Sequence, residues 1–351
     1  MKRYRFGWLL VTVLLVAILA GCGGRSPSGG TDPSAGQGGS QQAAGQENGQ
    51  QSTGQGNEQQ GAGSHTEAPE AGGGAAQAAY PITLVDGAGR EVTIEAEPQR
   101  ILSLGPSATE VIFALGRGDR LVGRTDWCNF PEAALEVPAV GSLFPPDYER
   151  ILATEPDLVI MIEGSVEVRD RLEQEYGLKT FVFAPATFED LFTEMVALGR
   201  ALGAPEAAEA LVAEMRAEVE EIESTTLRIS YRPVVFYEVW PDPLSTAGPG
   251  SFIDDMIRIA GGINAAGNAD GPWPSFSVEQ LLAADPEIIV TGSPDMVQDV
   301  LTRPGWESVR AVQEGRVVAV PNEDIVVRPG PRLIEGLRWF AATLHPGLFA
   351  Q

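Results

Sequence analysis

Apolar and polar positions divide the chain into three stretches of different character. A run from Trp8 to Ala20, apolar except for Thr12, follows a short basic stretch containing Lys2, Arg3 and Arg5. The 57 residues from Gly23 to Ala79 contain 16 Gly and 10 Gln but no Ile, Leu, Val, Met, Phe, Trp or Tyr, so they hold nothing from which to build a core. From Tyr80 onward apolar residues return at helix and strand spacings.

That third stretch repeats itself. The segment ERILATEPDLVI (149–160) is echoed by EQLLAADPEIIV (279–290), and each predicts a short helix stopped near a proline, then a buried strand. Upstream, Ile101–Leu104 leads through Gly105-Pro106 into a helical pattern ending near Gly116. Leu244–Ala247 likewise leads through Gly248-Pro249 into one ending near Gly261-Gly262. The pattern predicts two similar α/β lobes, with ligand walls at the turns beyond the strand ends. Between them, Thr187 and Asp190 predict a capping box for a helix carrying Leu191, Met195, Leu198 and Leu202. After Gly203-Ala204, Pro205 predicts a second helix through Leu211, Met215, Val219 and Ile222 to about Ser224. About 20 helical residues span about 30 Å, enough to bridge two lobes. The expected boundaries are 1–22, 23–79, an N-terminal lobe at 80–186, the helical connection at 187–226 and a C-terminal lobe at 227–351.

The first stretch reads as an export signal, because its apolar run falls short of the roughly 20 residues that cross a bilayer. Its ending, Leu19-Ala20-Gly21-Cys22, resembles the lipobox of bacterial lipoproteins, in which the cysteine is acylated and the signal is cut before it. The Gly-rich segment behind it would be a leash with a mean extension of roughly 40 Å. With Cys22 carrying lipid, Cys128 has no partner for a disulfide, and it is expected to act as a small buried hydrophobe.

Charge and composition narrow the chemistry. A formal net charge of −24 argues against nucleic acid or anionic lipid as the main partner. The only lysines, Lys2 and Lys179, do not follow the glycine that a phosphate-binding loop requires. The only histidines, His65 and His345, exclude a multi-histidine zinc site and leave no convincing haem ligand. No G-x-S-x-G elbow is present. An exported enzyme and a sensory or adhesive module stay open as remote alternatives.

Five stretches together carry a resemblance: Arg100–Glu110, Val140-Gly141 leading to Glu149, Pro156–Val159, Ala247–Asp254 and Arg328–Arg332. The chain resembles the substrate-binding lipoproteins of bacterial ABC importers for cobalamin and ferric siderophores. The resemblance implies a class III periplasmic-binding-protein-like fold with two lobes on one long helix, little closure and no catalysis. It also implies no cofactor beyond the transported ligand, a monomer on the outer face of the cell membrane, and an ABC permease dimer as partner.

Trp127, Trp273 and the polar pair Asp324 and Arg328 match ligand-contacting positions of the cobalamin members. Leu143 and Ile162 stand where the best-matching member has tryptophans, which leaves the ligand open between a corrinoid, a siderophore and haem. A corrinoid is a broad apolar disc edged with amides, so Phe144, Trp240 and Phe276, in Gly- and Pro-rich stretches, are further candidates. An anionic siderophore would favour converging arginines, for which Arg328, Arg124 and Arg332 are available. Trp306 and Trp339 are expected in the core. Glu149 and Glu279 hold the same place in the repeat, and the resemblance implies that they meet arginines of the permease. Read from the residues alone, they are good first-turn helix chemistry.

Overall fold

A computed structural model describes residues 80–349 apart from positions 163 and 165. The expected signal, Cys22 and the Gly- and Gln-rich segment lie outside the described residues. In the first lobe a hairpin of β1 (Ile82–Val85) and β2 (Glu91–Ile94) precedes β3 (Ile101–Ser103), α1 (Pro106–Ala114), β4 (Leu121–Arg124), α2 (Tyr148–Ala153), β5 (Leu158–Met161), α3 (Val166–Gln174) and β6 (Thr180–Val182). Strands β4, β3, β5 and β6 form a parallel sheet in that order. Every residue of β3, β5 and β6 is buried, as a parallel sheet covered on both faces demands, and their unbroken apolar runs follow from it.

Helices α4 (Phe188–Ala201) and α5 (Pro205–Thr226) connect the lobes. Thr187 and Asp190 form the expected capping box. The chain reverses at Gly203, whose positive φ of 70° suits a residue just past a helix end. Pro205 then opens α5, whose 22 residues extend about 33 Å at 1.5 Å each. The two helices lie against each other, tied by a two-pronged ion pair from Arg216 to Glu189 at 2.7 Å per contact. At the start of α4, the Phe188 N–H donates to Asp255 of the second lobe at 3.1 Å.

The second lobe runs through β7 (Val234–Pro241), β8 (Leu244–Thr246), α6 (Phe252–Ile259), β9 (Ile263–Asn264), α7 (Val278–Ala284), β10 (Ile288–Thr291), α8 (Pro294–Leu301), α9 (Arg310–Gln313), β11 (Val317–Ala319), α10 (Asp324–Val327) and α11 (Leu333–Leu344). Strands β11, β10, β7 and β8 are ordered as written, with β9 also on β7; only β8 is antiparallel.

The repeat survives in backbone detail. Among the described residues the only non-glycine residues with positive φ are Glu155 (45°) and Asp285 (41°), each directly before a proline that follows a short helix. Two residues on, Asp157 accepts N–H bonds from Gln99 and Arg100 at the start of β3. Glu287 accepts from Val234 at the start of β7 and from the Tyr231 hydroxyl.

One expected correspondence is corrected. The counterpart of β3 is β7, since Ile101 pairs with Leu158 as Val235 pairs with Ile288, whereas Leu244–Thr246 is the return arm of a hairpin. Only Asp242 and Pro243 separate β7 from β8, and a parallel crossover needs a dozen or more residues, so the strand must turn back. One apolar core cluster runs from Leu84 through both sheets, α4, α5 and α6 to Leu344, and each lobe adds a smaller cluster of its own. Trp306 is buried and Trp339 packs against that core, both as expected.

Candidate functional site

The loop after β4 is built to hold one aromatic out. Cys128 is fully buried, its sulfur 3.1 Å from the Thr125 hydroxyl, and its N–H closes a turn onto the Thr125 carbonyl. Arg124 donates to the carbonyls of Ala134 (2.7 Å) and Thr125 (3.0 Å), bracing the loop from below. With its base anchored, Trp127 stands 61% exposed. The Asp126 N–H donates to the Gly141 carbonyl at 3.0 Å, which ties this loop to the one bearing Phe144, 49% exposed above a buried Leu143.

The second lobe presents a matching edge. Trp240 stands near the end of β7, 40% exposed, with its indole N–H on the Asp242 carbonyl at 2.9 Å. Trp273 is 47% exposed and leans edge-on against Phe252 at 5.5 Å. Its loop is pinned where Gly248 and Thr246 donate to the carbonyls of Pro272 and Pro274. Four large aromatics therefore stand in the open beyond the carboxyl ends of parallel strands, where ligands of such sheets collect. Beneath Trp273 lies a cavity of about 240 Å³.

Asp324 and Arg328 join the two edges. Arg328 Nη1 donates to Asn129 Oδ1 at 2.7 Å, two residues beyond Trp127, and lies 3.4 Å from Glu110. Its other arm pairs with Asp324 at 3.0 Å. Arg332 grips Glu110 with both arms, at 2.9 and 2.5 Å, and sits 4.0 Å over the ring of Phe130. Glu110, the only charged residue of α1, is thus the hub of a buried ion cluster between the lobes.

Two sequence expectations change. Phe276 is buried against Phe236 at 5.4 Å, beside Trp306, because its loop turns inward to α7. Arg124 and Arg332 are consumed by backbone carbonyls and by Glu110, so they are not free to receive an anion. The sequence pattern does not single out Glu110, Asn129, Phe130, Tyr237 or Glu323; an acid within the apolar α1 pattern is the one signal available for Glu110.

Glu149 and Glu279 are both exposed, and both occupy the second position of a short helix, after the N-caps Asp147 and Ser277. Hydrogen bonds from its own backbone N–H and then from Ser277 hold the Glu279 carboxyl below its usual range, so it stays ionised.

Burial, and then Asp324, pushes the Glu323 carboxyl above its ordinary value of 4.5. The folded chain then holds this proton more tightly than the unfolded chain, so stability falls as pH rises through the raised value. Glu323→Gln is expected to melt higher than wild type at neutral pH, with the gain vanishing below pH 4.5. Scanning calorimetry across that range checks it; a gain that is the same at both ends would place the effect in packing.

Among the described residues no group of three or more His, Cys, Asp or Glu side chains could hold a metal ion. His345 is buried, its Nε2 3.3 Å from the Gly261 carbonyl at the end of α11. No described helix is long and apolar enough to cross a membrane.

The family described as periplasmic binding protein matches residues 101–323, from β3 to the edge of the ion cluster. The chain belongs to the periplasmic binding protein family. Within it, the chain is 33% identical over 279 residues to YvrC of Bacillus subtilis, an uncharacterized ABC transporter substrate-binding lipoprotein; this covers 78% of the chain and 88% of YvrC. It is 31% identical over 278 residues to a cobalamin-binding protein of Halobacterium salinarum, covering 76% and 74%. Among solved structures, the vitamin B12 binding protein BtuF of Vibrio cholerae superposes with a TM-score of 0.62 at 26% identity, covering 70% of this chain and 96% of that one. The heme-binding protein RhuT of Roseiflexus gives 0.64 at 28% identity, covering 71% and 99%. As a periplasmic binding protein, the chain is a solute-binding protein whose relatives and structural neighbours include cobalamin- and heme-binding proteins.

Proposed function

We propose that this chain captures a corrinoid outside the cytoplasm and delivers it to an ABC permease, tethered to the outer face of the membrane through lipid on Cys22. The observation that carries the ligand choice is the set of four half-exposed aromatics, Trp127 and Phe144 on one lobe and Trp240 and Trp273 on the other. They suit a broad apolar disc. A ferric siderophore of anionic character is disfavoured, because Arg124, Arg328 and Arg332 are already engaged within the protein. Glu149 and Glu279 serve as the docking pair, one carboxylate on each lobe for a two-fold permease.

Titration with cyanocobalamin, followed by visible absorbance after gel filtration and run beside ferric hydroxamates and haem, tests the reading. Saturable one-to-one uptake of cyanocobalamin alone is the expected result. Trp127→Ala and Trp273→Ala are each expected to lose roughly 1–3 kcal/mol of binding, the scale for one large apolar side chain. Unchanged affinity in both variants would move the site elsewhere, and preference for haem or a hydroxamate would replace the corrinoid.

A further inference from the structure

The cavity beneath Trp273 has a chemistry of its own. Its walls are Val239, Phe252, Ile253, Trp273 and Val327, and apart from the Trp273 indole N–H the only polar side-chain groups among its lining residues are those of Tyr237 and Glu323. At about 240 Å³ it exceeds the ~150 Å³ apolar cavity that suffices for benzene. Tyr237 is 1% exposed, and among the described residues its hydroxyl is the one buried side-chain polar atom with no hydrogen-bond partner. A buried hydroxyl left unpaired is costly, and such groups in native proteins call for an explanation. Tyr237 is not loose: its ring packs 6.5 Å from that of Phe340, and its carbonyl accepts from the Thr246 hydroxyl at 2.7 Å. The Glu323 carboxyl lines the same cavity near the close turn at Gly292, and its charge acts on the Tyr237 hydroxyl.

We infer that this cavity is a subsite for an uncharged primary carboxamide on a short alkyl arm, its carbonyl taking the Tyr237 proton and its NH₂ donating to Glu323. The inference rests on the receptor reading of this face and specifies the ligand's edge, since the rim of a corrinoid carries such arms. The apolar walls accept the alkyl stem and reject a fully polar group. A carboxylate would be opposed by Glu323 and by Asp324 next to it. An alkylammonium would satisfy Glu323 but leave the tyrosine proton without an acceptor. Of these three groups only the amide offers both an acceptor and donors, and so satisfies Tyr237 and Glu323 at once.

The test uses the full-length chain and three small probes, butanamide, butanoate and butylammonium. It reads the indole N–H resonance of Trp273, assigned by its loss in Trp273→Phe. Butanamide is expected to shift that resonance saturably, at least tenfold more tightly than either charged probe. Tyr237→Phe, which keeps the ring packing, should weaken it about tenfold. Glu323→Gln removes the opposing charge and supplies an N–H donor, so it should bring butanoate to within about threefold of butanamide. The absence of a saturable response to butanamide, or tighter binding of butylammonium, would overturn the subsite. Cyanocobalamin titrated in parallel separates the two readings. An amide response without cyanocobalamin binding keeps the subsite and removes the corrinoid. Cyanocobalamin binding that Tyr237→Phe leaves unchanged, with no amide response, removes the subsite and keeps the receptor.

Discussion

Replacing Glu149 and Glu279 together by arginine is expected to abolish ligand uptake by cells while leaving cyanocobalamin affinity within about threefold. Each carboxylate is exposed at the second position of an equivalent helix, past the N-caps Asp147 and Ser277 that separate it from the loops of Phe144 and Trp273. Charge reversal therefore leaves the ligand face intact and, under the proposed docking, would turn two attractive contacts with permease arginines into repulsive ones. Charge-assisted carboxylate–arginine pairs fix orientation as well as attraction, so losing both should cost register and affinity together. Helix chemistry alone would give a different outcome. A first-turn glutamate contributes roughly 0.3–1 kcal/mol to its helix, which predicts slightly lower stability with normal uptake. Measuring uptake, complex formation with the cognate permease and the unfolding midpoint in the same variant separates the two; normal uptake would retire the docking role.

Glu110→Ala is expected to cost about 3–5 kcal/mol of stability, the scale for breaking a buried ion pair by removing one partner. The side chains of Glu110, Arg332 and Arg328 are 2%, 9% and 12% exposed, so removing the carboxylate strands Arg332 in a water-poor setting and leaves Arg328 to Asp324 and Asn129. Asp324 stands 3.0 Å from Arg328 but 3.7 Å from Arg332, too far to replace the two-armed grip on Arg332. Urea denaturation should show a lower midpoint with an unchanged slope. Replacing Glu110 and Arg332 together by leucine should recover most of the loss, because a buried ion pair exchanged for apolar groups is often neutral. A loss below about 1 kcal/mol for Glu110→Ala would mean that water reaches the cluster and screens it.

What the sequence revealed depended on the distance over which each feature is determined. The capping box at Thr187 and Asp190, the start of α5 at Pro205 and the repeat around Glu149 and Glu279 are local, set by residues three or four apart, and each is present. The strand leading into Gly248 resembles the strand leading into Gly105 because both are short and apolar. Its direction is fixed instead by the two-residue turn before it. Phe276 and Trp273 share a Pro- and Gly-rich context three residues apart, yet one is buried on Phe236 and the other stands half-exposed on Phe252. That difference is made by partners elsewhere in the chain. Glu110 and Arg332 meet across 222 positions, a separation at which spacing carries no signal.

The unbroken core from Leu84 to Leu344 bears on how the two halves relate. The repeat around residues 149–160 and 279–290 has the form of a duplicated unit, and duplicated units often keep their autonomy. Here they share a core. Cutting the chain after α5 would open apolar surface on both fragments and part Glu110 from its arginines, so each half is expected to lose stability when separated. Each lobe adds a smaller core of its own, around Val159 in the first and Phe236 in the second, but the shared core and the Glu110 cluster are expected to couple their unfolding.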